Sequence, residues 1–189
     1  MSRSISEITS DAAPGVCSAT FSSSTYQQKG QAPMYHTIVK RKLQTAFADI
    51  NSGNHTAIVD QFTPDAQHWF AGDHALSGRR RGRELIRAWY ERLALLLPDL
   101  TFALTDVVVR GWPWNTTAVV LWTDKVHDRK GVQHSNQGVH VIGLRWGKIS
   151  SLEIHCDTSV VTVLLDVLRD QGVEQAGAAP ITAESWSYR

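Results

Sequence analysis

Cysteine is scarce: Cys17 and Cys156 are the only two in 189 residues. That excludes a disulfide framework or a paired-cysteine zinc site and points to a reducing, cytoplasmic setting. No apolar run approaches the roughly 18 residues that a membrane span needs. The N-terminus also lacks the compact apolar stretch of a signal peptide. Formal net charge is only +1, with pI near 7.9. No broad field therefore favours nucleic acid or an anionic membrane, and neither is expected as a partner. There is no glycine-rich phosphate loop, nucleophile elbow or flavin fingerprint. The histidines form no His-x-x-x-His pair, so neither a metal nor a cofactor is expected.

What remains is the composition of one ordinary water-soluble domain, with 42% hydrophobic and 20% charged residues. Residues 1–33 are rich in Ser, Ala, Gly and Gln without sustained period, and read as a flexible N-terminal tail. A pocket-bearing domain is expected over 34–172, and a C-terminal tail over 173–189.

From Tyr35, Val39, Leu43, Ala46 and Ile50 recur at helical spacing until Gly53. Asn54 is placed to cap a short second helix carrying Ile58, Val59 and Phe62. Gln67–Phe70 and Ala75–Ser77 read as two short strands around Gly72-Asp73. A third helix follows Gly82, its apolar stripe including Leu85, Ile86, Trp89, Tyr90 and Leu93, until Pro98 ends it. Four long β segments follow, Leu100–Arg110, Thr116–His127, Asn136–Trp146 and Lys148–Cys156, joined by short connections that favour consecutive antiparallel pairing. A last helix spans Val160–Arg169. Helices first and strands afterwards is an α+β pattern.

Several motifs then fall in a familiar order: Phe62-Thr63-Pro64-Asp65-Ala66, Gly78, Gly82-Arg83-Glu84, Pro98-Asp99-Leu100, Gly147-Lys148-Ile149 and Asp157. In that order the chain resembles, from about Tyr35 to Arg169, the SnoaL-like polyketide cyclase group of the nuclear transport factor 2-like superfamily. The resemblance implies a cone-shaped α+β barrel, a curved sheet wrapped around helices with one internal pocket. Its members include ketosteroid isomerases, limonene epoxide hydrolases, scytalone dehydratases and non-catalytic carriers, so fold does not settle function. Where the cyclases and epoxide hydrolases keep an acid-base carboxylate, this chain has Ile154.

Strand alternation selects the pocket residues. Ala118, Val120, Trp122, Asp124 and Val126 share one face; Asn136, Gly138, His140, Ile142 and Leu144 share another. Asp124 and His140 are the acid-base candidates, ionisable groups among apolar neighbours. For His140, the resemblance adds a pocket histidine on the corresponding strand. His155 and Asp157 depend on the turn at Trp146-Gly147. A two-residue loop puts His140 on the face of Glu153, His155 and Asp157; a three-residue loop with a glycine bulge puts it with Leu152, Ile154 and Cys156. Asp157 is also a natural N-cap for the last helix. Trp69, His74, Trp89, Tyr90, Trp122 and Asn136 are the expected ligand contacts. The run Arg79-Arg80-Arg81 reads as a solvated loop.

Two functional readings follow. One is a cofactor-independent acid-base isomerase, cyclase or hydrolase acting on a small hydrophobic polyketide-, steroid- or epoxide-like molecule. The other is a non-catalytic ligand-binding or interaction module. A homodimer is expected through the apolar outer face carrying Val119, Leu121, Val139 and Val141.

Overall fold

The computed structural model describes residues 33–182. The expected N-terminal tail, apart from Pro33, and residues 183–189 of the expected C-terminal tail lie outside the described residues. Helix α1 (Pro33–Asn51) buries Val39, Leu43, Ala46, Phe47 and Ile50, a single stripe at helical spacing. Asn54 caps the short α2 (His55–Val59), its side chain accepting from the Ala57 amide. Then come β1 (Phe62–Phe70), β2 (Gly78–Arg81), α3 (Arg83–Leu96), β3 (Thr101–Trp112), β4 (Asn115–His127), β5 (Gln133–Arg145), β6 (Lys148–Cys156), α4 (Thr158–Asp170) and a 3-10 turn over Glu174–Gly177.

The strands form one six-stranded sheet in the order β2-β1-β6-β5-β4-β3. Pairing is antiparallel except between β1 and β6, which are parallel. Strands β4 and β5, at 13 residues each, are long enough for their natural twist to curl the sheet. The helices fill the hollow this makes, and the result is the expected cone-shaped α+β architecture with an open, curved mixed sheet.

Two local expectations are corrected. Phe62 belongs to β1 and not to the second helix, which ends at Val59. The second short strand is Gly78–Arg81 instead of Ala75–Ser77, where Ser77 turns back to bond the His74 carbonyl through both its amide and its hydroxyl. The arginine run is therefore strand. Because alternate side chains point to opposite faces, Arg80 alone turns inward, where it is 1% exposed. Its guanidinium donates to the carbonyls of Ser77, Gly78 and Ile181 and lies 2.8 Å from His68 Nδ1. The Ile181 bond, with one from Arg92 to the Ala179 carbonyl, straps residues beyond 172 onto the domain.

The β5–β6 hairpin sets the pocket wall. Trp146 and Gly147 form a two-residue loop with φ of 52° and 74°, the left-handed values such a turn requires. Arg145 pairs with Lys148 and Leu144 with Ile149, but Gly143 pairs with Ser151, so Ser150 is an extra residue in β6. This bulge shifts every later pair by one. Leu152, Ile154 and Cys156 thus join the concave face, while Glu153 and His155 face outward.

Candidate functional site

The concave face and helices α1, α3 and α4 surround an open pocket with about 710 Å³ of empty space, the open solvent at its mouth included. Its inner wall is apolar and aromatic: Phe70, Trp89, Tyr90, Leu93, Phe102, Trp122 and Ile154 line it. Polar groups collect at one end, where Asp124, His134, Ser135, Asn136 and Cys156 meet Val160 and Val161 of α4. Ladder register explains the grouping, since Asp124 is opposite Asn136 and Val126 opposite His134. Asp124, His134, Asn136, Cys156, Val160 and Val161 are all partly exposed, so this end is the open one.

Asp124 is mostly buried, and no basic side chain pairs with it among the described residues. Burial pushes its carboxyl pKa up, against the Asn136 amide, which donates to Oδ1 at 2.8 Å. Asn136 is itself fixed, its Nδ2 donating to the Asp157 carbonyl at 2.9 Å. Beside them the Cys156 thiol is pushed up to about 12 by burial and by the charges of Asp124 and Asp157.

His140 lies deeper, in an aromatic cage. Ring centroids of Phe47, Trp122 and Phe102 stand 5.2, 5.4 and 6.1 Å from its own. Burial, with a smaller push from His155, lowers its pKa to about 3, so it is a neutral imidazole at physiological pH. Asp124 and His140 share the cavity without touching. Four ladder steps separate them, about 13 Å along the strands, and neither perturbs the other's pKa.

The remaining expected site residues divide. Trp89, Tyr90, Trp122 and Asn136 line the cavity. Trp69 and His155 meet edge to face on the outer side of the sheet, and His155 Nε2 lies 3.5 Å from Glu153. His74 is buried outside the cavity, its Nδ1 accepting from the Leu76 amide. Asp157 is the N-cap of α4, accepting from Ser159 N at 3.0 Å and Ser159 Oγ at 2.6 Å. The bulge accounts for the departure of His155 from the pocket and the cap for that of Asp157.

Sequence reasoning overlooked Phe102 and His134, and reached Cys156 only through one of the two registers weighed for the last hairpin. His134 shares the parity of Asn136 and His140 and could have been found by extending that strand two residues. Its Nε2 lies 3.6 Å from Asp128, a carboxylate 8% exposed. Burial works to raise the Asp128 pKa, but the Val132 amide, the Gln171 side chain and the Lys130 amide outweigh it and hold it down at about 2. A fixed anion thus backs the imidazole at the cavity mouth.

With this geometry in view, comparison with known proteins is informative. A family model for the SnoaL-like domain matches residues 43–152. The chain belongs to the SnoaL-like domain family. Among solved structures, TerC, crystallised with polyporic acid, is 20% identical with a TM-score of 0.59, covering 68% of this chain and 98% of its own. PrhC from Penicillium brasilianum NBRC 6234 is 12% identical with a TM-score of 0.61, covering 73% and 91%. Bal32a, from a soil-derived mobile gene cassette, is 18% identical with a TM-score of 0.54, covering 63% and 88%. These identities establish the nuclear transport factor 2-like fold and no more. No curated protein matches by sequence. This SnoaL-like domain has an isoleucine, Ile154, opposite its pocket histidine, and the half-buried carboxylate that lines its cavity, Asp124, stands on β4.

Proposed function

We propose that this SnoaL-like domain encloses a small, largely apolar molecule with a polar group at one end, and that Asp124 transfers a proton to or from that group. The observation that carries the reading is Asp124 itself. A largely desolvated carboxylate without a cationic partner destabilises a fold, and its one hydrogen bond, from the Asn136 amide, does not offset that cost. Its raised pKa suits the role: the carboxylate takes a proton from an acidified carbon or hydroxyl of the substrate, becomes the acid that burial favours, and returns the proton at a second position. Such an isomerisation or ring closure balances without a co-reactant. His140, neutral, hydrogen-bonds a polar atom at the deep end.

The test uses enone, β-dicarbonyl and epoxide compounds in heavy water, following deuterium exchange or ring opening by proton NMR, with binding read from Trp122 fluorescence. Polyporic acid is included as a binding probe because TerC was crystallised with it. Wild-type chain should accelerate exchange in at least one bound compound, and Asp124→Asn should lower that rate about 100-fold while still binding it. If bound compounds exchange no faster with wild type than with the variant, Asp124 is not catalytic. The outward turn of Glu153 and His155 then favours the second reading, a non-catalytic ligand carrier.

A further inference from the structure

Three tryptophans stand in solvent at the pole of the cone opposite the cavity mouth. Trp112 and Trp114 flank Pro113 in the β3–β4 turn, and Trp146 opens the β5–β6 turn; they are 43%, 55% and 70% exposed. Their indoles form one ridge: Trp112 and Trp114 stack with centroids 5.7 Å apart and planes 5° apart, and Trp146 follows at 6.1 Å. The ridge is held in place. Trp146 donates its amide to the Pro113 carbonyl at 2.6 Å, and Lys42 of α1 donates to the Gly147 carbonyl. The first turn of α1 is tied to the same end by Tyr35 on Thr116 and His36 on the Gly111 carbonyl. It brings Met34 and Ile38 there, both exposed.

Charge is segregated at this pole. The two turns and the N-terminal half of α1 that meet there carry Lys40, Arg41, Lys42, Arg110, Arg145 and Lys148. Against these six cations stand Asp60, whose carbonyl accepts from Lys148 Nζ at 3.1 Å, and Asp65 of β1, on the flank and under the influence of Arg145. A net charge of +1 conceals this. Indoles suit the water–hydrocarbon boundary because a large apolar ring carries one N–H that remains hydrated. Lysines and arginines beside them lay apolar stems along the boundary and keep their charges among headgroups. A protein partner fits less well, since the cores of protein interfaces are depleted of lysine.

We propose that this pole docks peripherally on an anionic phospholipid bilayer, with Trp112, Trp114 and Trp146 in the headgroup layer. Ten residues of β4 separate Trp114 from Asp124, roughly 30 Å along the strand. The docked cavity mouth therefore opens away from the bilayer.

The experiment pellets the full chain with sucrose-loaded vesicles of phosphatidylcholine alone or mixed with phosphatidylserine. The comparison set is wild type, the pair Trp114→Ala with Trp146→Ala, and the pair Arg145→Glu with Lys148→Glu. Wild type should pellet with the mixed vesicles and not with phosphatidylcholine, and added salt should release it. Each pair should weaken binding at least about ten-fold with Tm unchanged, because the altered side chains are exposed. Failure of wild type to pellet with the mixed vesicles, or pelleting that neither pair alters, overturns the proposal. So does lipid-free self-association in sedimentation velocity that the tryptophan pair abolishes, for the ridge would then be covered by a second copy.

Discussion

His140 stands opposite Ile154 across the β5–β6 ladder, and the extra residue Ser150 puts it there. The loop of Trp146 and Gly147 taken alone would pair His140 with Glu153. Regular pairing of the same residues past Leu144 would turn Glu153 and His155 into an apolar cavity, so the bulge and the inward set are one choice. A chain lacking Ser150 loses the unpaired residue itself, so Gly143 still meets Ser151 and His140 still meets Ile154; it should fold with the same inward set and a Tm within about 5 °C of wild type, measured by circular dichroism. A fall of more than about 10 °C would show that the pairs past Gly143 do not survive the deletion.

How much of this could be read from the sequence follows from the same hairpin. Alternation within one strand is local, so the concave sets on β4 and β5 were legible residue by residue, including Asp124, Trp122 and His140. Alternation across a turn needs the register. The loop length was one of the two weighed, but the bulge that reverses its consequence lies three residues past the turn, and its one mark is the odd step from Ile149 to Leu152 in an otherwise alternate run. The arginine run misled for a related reason: a triplet of cations reads as solvated, and only the carbonyls brought by the distant Ile181 segment and the turn at Ser77 make a buried Arg80 tenable.

Gly138 has no side chain because the Trp122 indole lies across it. A Cβ there would sit 2.4 Å from the His155 carbonyl oxygen, 2.6 Å from Trp122 Cζ2 and 2.8 Å from Cys156 Cβ. Gly138→Ala should cost about 1–3 kcal/mol, displace the indole and shift tryptophan emission. Unchanged Tm and emission would mean that the wall yields without cost.

The outer face of β3, β4 and β5 sets Val108 beside Val119 and Leu121 beside Val139. Val108 and Leu121 are 51% and 41% exposed. We expect this face to form an isologous dimer, the commonest soluble assembly. Sedimentation equilibrium should give twice 21.0 kDa for wild type and a folded monomer for Leu121→Asp. A wild-type monomer at micromolar concentration would contradict this.

Asp124 should trade stability for function. Its pKa is raised by burial, so the native state holds a proton that the unfolded chain releases. That stabilisation is full below the unfolded value of 3.8 and is lost as pH rises through the folded value. Asp124→Asn keeps an oxygen for the Asn136 amide without the buried charge. At pH 7 it should melt about 2–4 °C higher, the shift of about 1 kcal/mol in a domain of this length. The gain should shrink towards pH 4. A lower Tm at pH 7 would show that the charge has a partner in solution.

His140 should act with the opposite sign and contribute to the acid limb. Its folded pKa, about 3, lies below the usual imidazole value of 6.5. The unfolded chain therefore binds a proton that the native cage of Phe47, Phe102 and Trp122 refuses. Stability contributed this way is complete above about pH 6.5 and is lost as pH falls towards 3. The limiting slope is about 1.4 kcal/mol per pH unit. His68 works in the same direction, buried against the Arg80 guanidinium and held well below its usual range first by burial and then by that charge. Burial lowers His55 and His74 as well; His140→Phe removes one of these groups while retaining an aromatic ring in the cage, so its Tm should fall less steeply below pH 6.5. At pH 4.5 it should be more stable than wild type by about 1–3 kcal/mol, with little difference at pH 8. Parallel Tm profiles for the two proteins from pH 8 to pH 4 would mean that His140 is protonated inside the cage or reached by water there. The neutral imidazole assigned to the deep end of the cavity would then be wrong.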